Sequence, residues 1–537
     1  MRDKFYNSTI LTKLILRRER VTSTLWILIS AGFVALIAAG MAGAMDEASR
    51  LEMAAVMENP AMVAMVGPLI GTSFGAFFTT MMLVFTALAI VVMNIMFVVR
   101  HTRADEEKGR YEVVRSLPTG RLANLNAAIV AVVLINLVLA VATGLLLFAF
   151  GDYSMCFNGS MLWGALLGSV GLVFAAITAV FSQLSSGSRG AMGYSFMTMG
   201  VFYMMRAVGD AGAAAGNSGT AVLSLISPLG LIIHAEAFQS NHWWPIFVLI
   251  AIAIPIAAIA YRLNLTRDID QGFFPDKQGK ATGGKLLRTH FGLSVKLLKT
   301  SLIVGTITIF LIGASYGAIM GDIEGFIETN EFYQQLILWM DGISMPLLFA
   351  GMINFVASMM ALIPMLLYVL KVRGEEKDVR AELVLATPVC RYKYLGGYII
   401  IAFVSSVVLQ FLTAFGLWIS ATAVLPDPSE FPLSSVLMGN LVYLPALWVM
   451  ISLAILLIGI APKATGFIWG AYGFVFLMGM FGRMDIFPAW TQNISPFGFI
   501  PQYPMESIVM LPLVVLTVIA AALTTVGLIG FRQRDIG

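Results

Sequence analysis

The sequence has 537 residues, of which 59% are hydrophobic and only 12% are charged, whereas soluble domains are about 45 to 50% apolar and 25% charged. This composition excludes a soluble globular protein and indicates a membrane protein. The formal net charge is only +3, and the basic residues collect in a few loops, so they indicate membrane topology and no nucleic-acid partner. Cys156 and Cys390 fall on opposite sides of the predicted topology, which excludes a disulfide framework and a cysteine metal site.

Residues 4–20 place apolar side chains among basic ones, and residues 285–299 repeat this pattern. Both segments predict an amphipathic helix in the cytoplasmic interface. The basic start lacks a cleavage pattern, so we expect a retained first helix and no signal peptide. Stretches with the roughly 20 apolar residues that cross a bilayer lie at 21–45, 74–99, 122–150, 162–184, 190–209, 244–262, 300–320, 345–370, 395–424, 434–460, 464–482 and 507–531. We therefore expect an all-α polytopic membrane protein with twelve transmembrane helices.

The charges of the connecting loops predict the orientation, because short cytoplasmic loops collect Lys and Arg. Loops 46–71 and 321–343 are mainly acidic, whereas loops 100–121, 262–299 and 371–393 hold most of the basic residues. The two kinds of loop alternate along the chain. This pattern predicts a multi-pass protein of the cell (plasma or inner) membrane with both termini in the cytoplasm.

One stretch of the sequence occurs twice. Residues 103–121 align without a gap with residues 373–391, and seven of the nineteen aligned positions are identical, where average composition gives roughly one by chance. The identical pairs are Arg103/Arg373, Glu106/Glu376, Arg110/Arg380, Glu112/Glu382, Val114/Val384, Pro118/Pro388 and Arg121/Arg391. We call residues 103–121 the first loop and residues 373–391 the second loop.

Two other signals repeat at a similar spacing: Ile226-Ser-Pro-Leu-Gly returns at Ile494-Ser-Pro-Phe-Gly, and Arg267-Asp-Ile returns at Arg534-Asp-Ile. Such a period indicates a tandem duplication. Because six spans is an even number, the two repeats are expected to be parallel. The predicted organisation is a first six-helix repeat at 1–272, a cytoplasmic linker at 273–284 and a second six-helix repeat at 285–537, each repeat preceded by its interfacial helix.

The segments between the fifth and sixth spans of each half are apolar but interrupted by Gly and Pro. They predict short re-entrant or interfacial helices that pack within protein or lie at the headgroups, with Trp243, Trp244 and Trp490 as interfacial anchors. A direct role of His234 or Glu236 in handling a substrate is the alternative.

Few residues are available for catalytic chemistry. Residues 279–286 imitate a phosphate-binding loop, but Leu286 stands where a Ser or Thr is needed and no strand precedes it. We therefore expect no nucleotide-binding site and no ATP hydrolysis in this chain. The four histidines fall in separate loops and intramembrane acids are almost absent, so neither a metal site nor an acidic proton relay is expected.

The two repeated loops carry the functional signal. In each, a Glu precedes an Arg by four residues (Glu106 and Arg110, Glu376 and Arg380), which favours a helix with a solvated charged face. Pro118 and Pro388 then predict a turn. A span-to-span connection needs only a few residues, so a charged module of about 20 residues that occurs twice indicates a docking surface. A merely solvated, positively charged loop is the alternative.

The doubled motif, Arg-x-Glu-Glu-x-x-x-Arg-x-Glu followed by Pro-x-x-Arg, resembles the permease subunits of ABC-2 type exporters, in particular the duplicated kind similar to tetronasin and other polyketide-antibiotic resistance transporters. The resemblance implies that the chain is the membrane subunit of an ATP-driven exporter of hydrophobic or amphipathic compounds. It also implies a separate ATPase subunit in two copies, which would carry the ATP and Mg. This chain would need no cofactor of its own.

The same resemblance assigns coupling roles to residues of both loops, where the ATPase would dock. These residues are Arg103, Glu106, Arg110, Glu112, Pro118, Arg121, Arg373, Glu376, Arg380, Glu382, Pro388 and Arg391. The loops differ around the proline, with Ser116-Leu-Pro-Thr-Gly in the first and Ala386-Thr-Pro-Val in the second. The two halves therefore need not dock equivalently.

Spans rich in Phe and Met make adaptable apolar surfaces, and we expect them to line a cargo cavity between the halves. The candidate residues are Phe74, Phe77, Phe78, Met81, Met197, Phe202, Tyr203, Phe474, Phe476 and Met478. Ordinary packing or lipid contact explains such residues equally well.

Three other classes remain as alternatives. A proton-driven transporter of the major-facilitator kind also has twelve spans in two parallel halves, but Glu106 follows Asp105 where that family has a basic residue, and no glycine stands at position 101. An ABC importer and a membrane sensor or resistance factor that transports nothing are the other two.

Overall fold

The computed structural model describes residues 2–45, 47–57, 60–268, 271–274, 282–322, 344–481, 490 and 493–535, and within these residues every regular element is a helix. The chain forms two compact units, Met1–Gln278 (unit 1) and Gly279–Gly537 (unit 2). The acidic residues at 323–343, most of the linker and residues 482–489 lie outside the described residues. What the sequence predicts for them stays a prediction.

Unit 1 is built around a buried helix that contains Trp163 and Phe174, both with no exposed surface. Its helices are α1 (Ser8–Ala44), α2 (Glu47–Met57), α3 (Pro60–Val66), α4 (Phe74–His101), α5 (Arg103–Glu107), α6 (Arg110–Arg115), α7 (Ala123–Ala149), α8 (Phe157–Leu184), α9 (Ser188–Ala214), α10 (Ala221–Ile226), α11 (Pro228–Leu231) and α12 (Trp244–Thr266). The central helix is α8, which packs against α4, α7, α9 and α12.

Unit 2 has its core around Tyr368, Tyr394 and Tyr398, which are nearly inaccessible. Its helices are α13 (His290–Ala318), α14 (Met345–Lys377), α15 (Arg380–Leu385), α16 (Arg391–Val424), α17 (Leu433–Leu441), α18 (Leu444–Ile460), α19 (Phe467–Phe481) and α20 (Met510–Gln533). Helix α17 ends at Leu441, and Pro445 lies in the first turn of α18, where the missing backbone N–H of a proline is tolerated.

Among the described residues, ten helical segments are long and apolar enough to cross a membrane. They are Ser8–Gly43, Phe74–Glu107, Ala123–Ala149, Phe157–Leu184, Trp244–Thr266, His290–Gly321, Pro346–Lys377, Arg391–Val424, Pro428–Ile460 and Met510–Gln533. The two other predicted spans are the fifth of each half: α9 contains Arg206 and Asp210, and α19 has only 15 residues. The total of twelve spans and the parallel repeat arrangement stay predictions.

Most of each predicted interfacial helix is continuous with the span that follows it, and Lys285–Arg288 forms a separate, short 3-10 helix. Helix α1 runs without a break from Ser8 into the first span, and α13 does the same from His290. Neither a proline nor a turn signal interrupts the junction between amphipathic segment and span, so the backbone hydrogen bonds continue. At 1.5 Å per residue, a helix of 37 residues is also longer than the roughly 30 Å of bilayer hydrocarbon.

Small residues allow the helices of each unit to approach closely, as is common in membranes. A side chain at Gly164 of α8 would collide with the Ala140 carbonyl oxygen of α7, and a Cβ at Gly168 would lie 3.1 Å from the Asn136 carbonyl oxygen. In unit 2, a Cβ at Gly313 of α13 would lie 2.3 Å from the Thr413 carbonyl oxygen of α16. These positions have no room for larger side chains.

The segment between α9 and α12 contains the predicted short helices, α10 and α11. Glu236 follows them with a positive φ of 45°, and its carbonyl oxygen accepts hydrogen bonds from the N–H groups of Gln239, Ser240 and Asn241. Glu236 therefore stabilises a turn through its backbone. Trp243, Trp244 and Trp490 are exposed, and their role as membrane anchors stays a prediction.

Candidate functional site

The two repeated loops have the same backbone. Helices α6 and α15 begin 270 residues apart, at Arg110 and Arg380, and each follows a residue in the left-handed region. This residue is Gly109 in the first loop, with φ 66°, and Val379 in the second, with φ 61°. A glycine adopts this conformation freely, whereas a β-branched valine does so only under strain. The duplicated sequence thus folds twice into one shape.

Each loop turns at its proline in the same way. The Thr119 N–H donates to the Leu117 carbonyl oxygen at 2.7 Å, and the Val389 N–H donates to the Thr387 carbonyl oxygen at 2.6 Å. A three-residue turn of this kind requires a central φ near −75°, which proline provides. The turns predicted at Pro118 and Pro388 are present, and both prolines are exposed.

In the first loop, a buried carboxylate lies between two arginines, and we call Arg103, Glu106 and Arg267 the first triad. The Glu106 Oε2 atom is 2.9 Å from Arg103 Nη1 and 2.7 Å from Arg267 Nη2. Arg103 also donates to the Ser186 carbonyl oxygen between α8 and α9, with its Nε at 2.9 Å. Arg267 directly follows α12. The first triad therefore holds the loop against two other segments of unit 1.

The second loop repeats this arrangement with Arg373, Glu376 and Arg534, which we call the second triad. The Glu376 Oε2 atom is 2.9 Å from Arg373 Nη1, and its Oε1 atom accepts a hydrogen bond from Arg534. Arg534 directly follows α20. In both units, the last helix thus ends in an arginine that binds the glutamate of the loop.

The last arginine of each loop also attaches the loop to the residues at the end of the last helix of its unit. Arg121 donates from Nη2 to the Arg267 carbonyl oxygen at 3.0 Å. Arg391 donates from Nη1 to the carbonyl oxygens of Arg532 and Arg534, both at 2.7 Å. The repeated Arg-Asp-Ile signal therefore marks the point where the end of each unit is attached to its loop. Ile536 itself lies outside the described residues.

The expected solvated helix with Glu–Arg pairs four residues apart is wrong. Glu106 is only 7% exposed, and the helix breaks between it and Arg110, at Gly109. Arg110 instead contacts Asp105, at 2.8 Å. In the second loop, Arg380 contacts Glu375 and Asp378 but belongs to a different helix from Glu376. The glutamate is buried because two guanidinium groups compensate its desolvation.

Around the triads, each loop presents apolar side chains to solvent. Val113 on α6 is 68% exposed and Leu383, its counterpart on α15, is 73% exposed. Glu112 and Glu382 beside them are exposed as well. A single exposed apolar side chain is common on protein surfaces, so the notable feature is its repetition at the same position of both loops.

Residues 287–532 match the family model described as "Multidrug efflux system permease Rv1217c, C-terminal domain". Over 536 residues, the chain is 32% identical to the Multidrug efflux system permease protein Rv1217c of Mycobacterium tuberculosis (strain ATCC 25618 / H37Rv), and the alignment covers 98% of this chain and 94% of the relative. The chain belongs to this permease family. It is therefore a multi-pass membrane permease, a transporter rather than a classical enzyme.

In this permease, the residues expected to line a cargo cavity lie in different environments. Phe74, Phe77 and Phe78 are buried within unit 1, where the Phe78 ring lies 6.0 Å from that of Trp163. Met197 is 69% exposed. The residues Met81, Phe202, Tyr203, Phe474 and Phe476 are half-buried. Burial with ring contacts is typical of packing residues, and a cavity between the halves stays a prediction.

One member of that set does reach a cavity inside a unit. Met478 lines a small cavity of about 100 Å³ in unit 2, together with Phe355, Tyr443 and Phe497. This volume corresponds to roughly three water molecules of about 30 Å³ each. The cavity is too small for a drug-sized compound.

Sequence reasoning missed a buried ion pair on α9. Arg206 has no exposed surface, and its Nη2 donates to the carbonyl oxygens of Ala64 and Met65, at 2.5 and 3.1 Å. Asp210, one helical turn later, lies 3.6 Å from Arg206 Nη1. Arg206 thus binds the last carbonyl groups of α3. The signal was available, because a charge pair four residues apart within an apolar stretch is unusual.

Proposed function

We propose that this permease is the membrane-spanning subunit of an ATP-driven ABC-2 type exporter and that a separate ATPase subunit drives it. Its cargo would be hydrophobic or amphipathic compounds of the antibiotic and multidrug kind. The proposal rests first on one observation: the chain twice builds a loop of the same backbone, each fixed by a glutamate with a buried side chain between two arginines and each with an exposed apolar side chain. Two docking loops of the same backbone suit two copies of one ATPase.

The family relationship supports the choice of cargo, because the relative's name describes a multidrug efflux permease. The resemblance of the doubled motif to ABC-2 permeases supports the energy source. If ATP drives the export, we expect its hydrolysis on a separate subunit, since Leu286 stands at the hydroxyl position of the phosphate-loop-like stretch.

The attachment of the first loop to other segments of unit 1 suits energy transfer as well as docking. A partner can bias a transmembrane unit only through an element that moves as a body between distinct states. The first triad connects the loop to the end of α12 and to the α8–α9 connection. Displacement of the loop by a partner would therefore displace the ends of several helices together.

The test is copurification of the permease with the ATPase encoded nearest to its gene, from membranes that contain both. We expect the wild-type permease to retain the ATPase, and the Val113→Asp plus Leu383→Asp double variant to lose it, because each change places a charge on the apolar contact. Tyr153→Asp is the matched control, since Tyr153 is fully exposed between α7 and α8. It should retain the ATPase.

Two results would contradict the proposal. One is retention of the ATPase by the double variant at wild-type levels. The other is transport by purified permease in proteoliposomes that is driven by a proton gradient without ATP or ATPase, which is the behaviour of the major-facilitator alternative.

A further inference from the structure

Unit 1 contains a cavity that is larger than the one in unit 2, and the proposed docking of an ATPase gives it no role. It has a volume of about 290 Å³ and lies among α1, α4, α7 and the start of α9. This volume is at the lower end of the roughly 300 to 1,000 Å³ typical of small-molecule sites. The inner wall is apolar, with Trp26, Met93, Phe97 and Ile135, whereas Arg100 and Lys108 lie at the charged end.

The charges at that end favour an anion. Among the described residues that line the cavity, Glu19 is the one acidic residue, and it is 2% exposed and already contacts Arg100 at 3.2 Å and His101 at 3.1 Å. Its carboxylate is therefore not available to a cationic ligand. Arg100 remains 48% exposed, and Lys108 is exposed and forms no ion pair with any residue that the structure describes. The cavity thus combines an apolar wall with accessible positive charge.

The cavity is also adjacent to the first triad. Its wall includes Ala104 and Lys108, which lie on either side of Glu106 in the sequence. A ligand that fills the cavity would therefore contact the same short segment that the triad fixes.

The second half does not repeat these residues. At the spacing of 270 residues that relates the two loops, Phe97, Arg100 and Lys108 correspond to Leu367, Leu370 and Asp378. The charge at the last position is reversed. The two basic residues at the charged end of the cavity are therefore specific to unit 1 and are not part of the duplicated sequence.

We propose that this cavity is a binding site for an amphipathic anion, with its apolar body against Trp26, Met93 and Phe97 and its acidic head between Arg100 and Lys108. The ligand is an anionic membrane lipid or a soluble amphipathic acid, since both share this chemistry. Binding at this site does not depend on the energy source for export, so the binding experiment tests the site independently of the proposed function.

The test uses the full-length permease in nanodiscs of neutral phosphatidylcholine, with 11-bromoundecanoate as the probe. Bromine quenches tryptophan fluorescence at short range, so binding should quench Trp26, and the Trp26→Phe variant should lose that saturable component. We expect Lys108→Gln to weaken binding about fivefold, the effect of losing one solvent-exposed ion pair. Lys377→Gln is the control, because Lys377 is an exposed loop lysine of unit 2, and it should not change the affinity.

The neutral analogue 11-bromoundecanol has the same apolar chain without the carboxylate, so it tests how much the charge contributes to binding. It should bind more weakly than the carboxylate and equally well to wild type and Lys108→Gln. Equal affinities of wild type for the alcohol and the carboxylate would overturn the proposal, as would unchanged quenching in Trp26→Phe.

A second set of nanodiscs distinguishes the two sources of the ligand. If phosphatidylglycerol in the bilayer displaces the carboxylate from wild type but not from Lys108→Gln, the site is a lipid site. If phosphatidylglycerol leaves the carboxylate affinity unchanged, the site takes a soluble amphipathic acid. Both results support an anion site, since they require the preference for the carboxylate.

Discussion

Glu106 and Arg267 are 161 residues apart in the sequence, yet Glu106 Oε2 and Arg267 Nη2 lie 2.7 Å apart. Glu376 and Arg534 form the same contact in unit 2. Both glutamates belong to the connection between the second and third predicted spans, and both arginines directly follow the last helix of their unit. The contact thus joins the middle of each unit to its end.

The double variant Glu106→Lys plus Glu376→Lys should abolish export. It places an ammonium group between two guanidinium groups in each triad, and a buried charge without a counterion costs about 3 to 5 kcal/mol. We expect both loops to leave their positions, so that the proposed ATPase loses its stimulation by cargo. Drug accumulation in cells and ATP hydrolysis in proteoliposomes measure these effects.

Glu430→Lys is the control for this variant, because Glu430 is exposed and lies outside both loops. Its transport should be normal. Normal transport in a double variant that is well expressed and correctly inserted would contradict the coupling role, and both loops would then be no more than topology signals.

Val379→Gly should stabilise unit 2. Val379 has a φ of 61°, which costs a β-branched residue about 1 to 3 kcal/mol, and glycine removes that cost. Gly109→Val should destabilise unit 1 by a similar amount, because it introduces the same strain. Thermal unfolding of the purified permease checks both changes, and a lower melting temperature for Val379→Gly would contradict the strained conformation.

Gly164→Ala should lower the stability of the permease by about 1 to 3 kcal/mol, since the added methyl group forces α7 and α8 apart. Gly200→Ala is the matched control: Gly200 lies within α9 and has no atom within 4 Å of its would-be Cβ. That change should be neutral or slightly stabilising, because alanine favours helix. Equal melting temperatures for the two variants would show that the close approach of α7 and α8 does not matter for stability.

Arg206→Met should destabilise unit 1 more than Arg206→Met combined with Asp210→Asn. The single change leaves Asp210 buried without its cation, at a cost of about 3 kcal/mol, whereas the double change removes both charges. Melting temperatures of the two variants and of Asp210→Asn alone complete the double-mutant cycle. Additive losses would indicate that the pair is not energetically coupled.

The sequence predicted the features that depend on local pattern. Apolar length located the helices, and the doubled motif located two loops with equal backbones. It failed where a side chain has a distant partner. Glu106 has Arg110 four residues away, but its partners are Arg103, three residues earlier, and the distant Arg267, because the buried carboxylate needs compensating positive charge. The continuation of α1 through its amphipathic start was missed for a related reason, since no residue there stops a helix.

The position of Arg267 directly after α12 has a consequence for biogenesis. While a ribosome is still making unit 1, the first loop is already exposed to the cytoplasm in the predicted topology, but its glutamate lacks the second arginine until the final helix of the unit has emerged. The loop can be fixed only then. We therefore expect the proposed partner to bind the first loop only after the last helix of unit 1 has been made.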